Sequence, residues 1–68
     1  MEELNYLVYD GSTEDYDLVG GFVYFVTAQN FAESWRGSNS SIPVSVVERH
    51  TGRVMGTWRL GAWENCQS

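Results

Sequence analysis

Carboxylates offer this chain its most chemistry, and they are unevenly placed. Seven of them, Glu2, Glu3, Asp10, Glu14, Asp15, Asp17 and Glu33, fall between Met1 and Trp35, a stretch with no Lys or Arg. All four cations, Arg36, Arg49, Arg53 and Arg59, come later, and lysine is absent altogether. Solvated surfaces normally mix both signs, so a stretch of one sign creates a local field that draws cationic partners and repels nucleic acid. The densest part is Glu14-Asp15-Tyr16-Asp17, with Asp10 just upstream. Such a cluster can be a solvated loop that keeps an aromatic-rich protein soluble, an acidic recognition surface, or a cation site. Calcium is poorly served, because the spacing does not match an EF-hand loop and no bidentate Glu follows at the right distance. Paired carboxylates also serve as general acid and base, but glycosidase-type chemistry needs a walled cleft that 68 residues can hardly build.

The other reactive residues are isolated. His50 is the sole histidine and falls in a turn, and Cys66 is the sole thiol, near the end of the chain. A Cys–His dyad would need the terminus folded onto that turn and a third orienting group. No His/Cys cluster has zinc-ligand spacing. Gly20-Gly21 precedes a strand-like run rather than a helix, so it is not a phosphate loop. A non-enzyme with no cofactor and no metal is expected. Arg49, Arg53 and Arg59 share one face of a predicted hairpin, as a charged solubilising face, a second contact patch, or a match for the acidic half.

A single domain is expected from 68 residues, and its core must be dense because so short a chain buries only about 60% of its unfolded surface. Tyr6, Tyr9, Tyr16, Phe22, Tyr24, Phe25, Phe31, Trp35, Trp58 and Trp63 supply that density. One cysteine allows no internal disulfide, which points to a reducing compartment. The acidic start is unlike a secretory n-region, and the run Phe22 to Val26 is too short to span a bilayer. A cytoplasmic location is the expectation, that of a bacterial host if the chain is phage-encoded. Asn39-Ser40-Ser41 fits a glycosylation pattern that has no meaning without a secretory route.

The elements follow from local pattern. Leu4 to Tyr9 reads as a strand and Asp10-Gly11-Ser12 as a turn. Thr13 to Asp17 is a loop or a short extra strand, closed by Gly20-Gly21. Phe22 to Val26 is apolar throughout and reads as a central strand. Thr27 is a candidate N-cap, and Ala28, Phe31, Ala32 and Trp35 recur at helical spacing, predicting a helix from Thr27 to Arg36 with Gly37 at the left-handed position after it. Gln29, Asn30, Glu33 and Ser34 form its wet face. Val44 to Arg49 and Arg53 to Leu60 form a hairpin. A three-residue loop, His50-Thr51-Gly52, pairs Val46 with Gly56 and Val44 with Trp58. It places Val44, Val46, Val54, Trp58 and Leu60 on one face, with Gly52 left-handed. Ala62-Trp63 tucks a last aromatic against the core. The fold expected is α+β, a small twisted antiparallel sheet of three to four strands with one short helix packed on it.

Tyr and Phe on a sheet can stack bases, but a net charge of −5 opposes phosphate binding, which depends on Lys and Arg. The inverse is useful: a surface with nucleic-acid-like carboxylate density can occupy a basic groove meant for DNA or RNA. In its short acidic chain, its sheet with one helix (Thr27 to Arg36) and its closing hairpin with a late aromatic (Val44 to Trp63), the protein resembles the small anti-CRISPR proteins of phages and mobile elements, especially those acting on type I (Cascade) effectors. That resemblance implies an inhibitor that binds an effector subunit and blocks target DNA, in some members by mimicking DNA charge. The charge pattern, not the resemblance, names the candidate partner-binding residues: Asp10, Glu14, Asp15 and Asp17, with Glu2 and Glu3 extending the surface. The expected partner is the basic groove of a CRISPR effector or other nucleic-acid-binding protein, with no direct nucleic-acid or membrane contact. A monomer is expected, with a dimer left open by edge strands and spare aromatics. The competing class is a peptide-binding module, since Tyr6 to Asp10 followed by Glu14, Asp15 and Asp17 is similar to the first strand and acidic loop of SH3 domains. That pattern then fails: no paired Trp follows, no late Pro motif is present, and a helix interrupts. A small structural or interaction protein is the third reading.

Overall fold

In a computed structural model, which describes residues 3–12, 15–35, 37 and 41–65, the chain folds as a five-stranded antiparallel sheet with one helix packed on it. The elements are β1 (Tyr6–Ser12), β2 (Asp15–Phe22), α1 (Phe25–Trp35), β3 (Val44–Glu48), β4 (Val54–Arg59) and β5 (Ala62–Asn65). The strand order is β2-β1-β3-β4-β5, so β3 is central while β2 and β5 are edges. The architecture expected of the sequence is present with more strands than expected. Asp10-Gly11-Ser12 is not a turn but the end of β1, and the segment from Asp15 is a full strand paired with it, Ser12 opposite Asp15 and Tyr6 opposite Phe22. Ala62-Trp63 belongs to a fifth strand, Trp63 opposite Trp58.

The largest departure is the run Phe22 to Val26, which is not a strand. Phe22 closes β2, Val23 and Tyr24 bend, and Phe25 opens α1. Asn5 enforces the bend: its backbone N–H donates to Phe22 O at 2.9 Å and its side-chain Nδ2 to Val23 O at 3.1 Å. The Tyr24 carbonyl accepts the Ala28 N–H at 3.2 Å, so the helix starts two residues before Thr27, which is inside the first turn and not its cap. A short apolar run is ambiguous between strand and helix, and tertiary contact decides this one. Phe25 meets Tyr6 edge-on at 5.6 Å between ring centroids and Trp63 at 5.9 Å. Gly20-Gly21 does not end the segment but lies inside β2, beneath large side chains: a Cβ on Gly20 would lie 3.0 Å from the Phe22 ring and 3.2 Å from Phe31.

The helix face is the one foreseen. Ala28 and Ala32 are fully buried against Val8, Val44 and Val46, and Phe31 stacks between Phe22 (5.1 Å) and Trp35 (5.2 Å). Trp35 is 44% exposed, a margin of the core. Gly37 has the expected left-handed φ, 77°, and its carbonyl accepts from Trp58 Nε1 at 3.4 Å. That bond holds the exit of the helix over β4.

The hairpin register holds where it was most constrained, Val44 opposite Trp58 and Val46 opposite Gly56. Its loop is longer than expected. Glu48 N–H donates to Arg53 O and Gly52 N–H to Glu48 O, both at 2.8 Å, so the loop has four residues, Arg49-His50-Thr51-Gly52. Gly52 has φ 73°, as such a turn requires. The extra residue is compensated by a bulge that puts Val54 opposite Val47 and leaves Met55 over. Val54 therefore moves to the face away from the helix, and Met55 packs against the core. A second bulge, between Val8 and Tyr9 against β2, leaves Val19 over, and Val19 also packs on the core. Leu60 is not a core residue: it is 61% exposed and has φ 54°, followed by Gly61 at 75°. Two positive φ values between Arg59 and Ala62 mark a primed two-residue turn.

Two stability predictions follow from these close fits. Gly56 is buried opposite β5, and a Cβ there would overlap the Trp63 ring, lying 2.6 Å from Cε2. Gly56→Ala should therefore lower stability by about 1–3 kcal/mol, read from urea midpoints. Leu60→Asn gives the turn its favoured Asn-Gly pair and relieves a left-handed leucine, so the midpoint should rise by the equivalent of about 0.5–1 kcal/mol.

Candidate functional site

Antiparallel pairing brings Asp10 of β1 and Asp17 of β2 directly opposite one another. Such residues share a face of the sheet, with Cβ atoms about 4.5–5.5 Å apart, and like charges in that relation are destabilising. Asp10 also lies opposite Val44 of β3, which puts it on the helix face, in line with Val8. Asp17 is exposed and Asp10 half-buried, with a partner of its own in the fold. The acidic corner is thus carried on paired strands, and Asp15 opens β2 opposite Ser12. Glu14 and Glu2 lie outside the described residues.

Glu3 does not join this group. It precedes the other end of β1, seven residues from Asp10, a span of about 23 Å along an extended chain. Its Oε2 lies 3.9 Å from His50 Nε2, with both side chains mostly exposed. The pair attracts only when His50 is protonated, and at such exposure it contributes little. The neighbouring backbone binds more firmly: Arg49 N–H donates to Asn5 O at 2.9 Å and Arg49 Nη1 to Leu4 O at 3.4 Å. The segment before β1 is therefore fastened to the β3–β4 turn.

That fastening breaks up the expected arginine face. Arg49 is a turn residue engaged with the chain start, Arg53 precedes β4, and Arg59 ends β4 opposite Ala62. The three do not share one strand face. The turn is organised by Thr51, whose hydroxyl donates to Glu48 Oε1 at 2.9 Å and accepts from the Arg53 N–H at 3.2 Å.

Among the described residues no group of three or more His, Cys, Asp and Glu side chains is placed to hold a metal ion. No described helix is long and apolar enough to cross a membrane. The arrangement can attract a cation or a cationic side chain to the exposed Asp17, beside an Asp10 that already has a partner in the fold. Sequence reasoning grouped these two by proximity but missed that they oppose each other. The alternation Asp15-Tyr16-Asp17-Leu18 was the available signal for a strand there. Comparison with protein-family models, with curated proteins and with solved structures finds no match to this chain.

Proposed function

We propose that this chain is a non-enzymatic, anti-CRISPR-like inhibitor that occupies the basic groove of a nucleic-acid-binding effector and blocks its access to target DNA. The observation that carries this reading is the Asp10–Asp17 opposition within a Lys- and Arg-free half of a chain of net charge −5. Like charges set across a strand pair repel, and of the two Asp17 is the exposed one while Asp10 is half-buried with a partner in the fold. A groove lined with Lys and Arg gains from Asp17, because charge-assisted hydrogen bonds form where phosphates would otherwise bind. Paired strands hold the carboxylates in place, which lowers the ordering cost of binding. Small size, acidity and an α+β fold are what the chain has in common with the anti-CRISPR proteins it resembles, and they support a type I effector as the target.

The test is competition between this protein and labelled DNA for a purified type I effector, at low and high salt. Inhibition should be present at low salt and weaken as salt rises, since steering fades once the Debye length shrinks to about 8 Å or less. The triple variant Glu14→Lys, Asp15→Lys, Asp17→Lys should stay folded and lose inhibition, and equal inhibition by that variant would rule out mimicry through this corner. Asp17→Asn alone separates function from fold. It should raise stability by a few tenths of a kcal/mol through relief of like-charge opposition while weakening competition.

A further inference from the structure

We draw no further inference here: the strongest candidate, the sheet face opposite α1 that Leu7, Leu18, Val47 and Val54 line, carries none, because nothing in the structure shows what covers it.

Discussion

Everything in this fold depends on how closely α1 approaches the sheet. Ala28 and Ala32, one helical turn apart, lie flat on Val8, Val44 and Val46, and these are the fully buried hydrophobic residues. Small side chains at the contact let the helix axis come near the strands. Short distance leaves no room for aromatic rings beneath the helix, so the rings form a wall around it: Tyr6, Phe25 and Trp63 on one side, Phe22, Phe31 and Trp35 on the other. A wall of rings needs floor space on the sheet, which glycine provides. Phe22 and Phe31 lie over Gly20, and Trp63 lies over Gly56. Ring contacts of this kind add about 0.5–1.5 kcal/mol each beyond the area they bury, a useful increment where the buried centre is only alanine and valine.

The two bulges serve the same end. Each inserts one residue into a strand, Val19 in β2 and Met55 in β4, and in each case the extra side chain packs on the core. A regular ladder alternates faces strictly, so it could give the helix only every second residue. The bulges add two apolar side chains to the helix side and sharpen the local twist around the helix. The Met55 bulge also absorbs the four-residue turn that Gly52 closes.

How much of this was legible in the residues depends on whether local pattern or distant contact decided each element. The face Ala28, Phe31, Ala32 and Trp35, the pairing of Val44 with Trp58, and the left-handed Gly37 and Gly52 follow from periodicity and turn chemistry, and the structure has them. The β2 strand was readable only in part, because Asp15-Tyr16-Asp17-Leu18 alternates but Gly20-Gly21 looks like its end. Those glycines belong in an edge strand once Phe31 and Leu4 are known to cover them, and that is tertiary information. The split of Phe22 to Val26 between strand and helix depends on Asn5, about twenty residues away, which no window on the run contains. The candidate site shows the same limit. Its acidity was plain, and the remoteness of Glu3 already follows from the strand between it and Asp10, but the opposition of Asp10 and Asp17 needed a strand pairing.

The two faces of the sheet differ at the β1–β2 end, where the carboxylates of the candidate site lie on one side only. The carboxylates Asp10 and Asp17 belong to the helix side, whereas Leu7, Leu18, Val47 and Val54 belong to the outer side. Asp17 is exposed on the edge strand β2, while Asp10 on β1 is half-buried and already has a partner in the fold, so a cationic partner would reach Asp17 first. Sixty-eight residues offer little area for a tight interface, and an exposed carboxylate on an edge strand is where so small a chain can add a charge-assisted contact without disturbing the packing of α1.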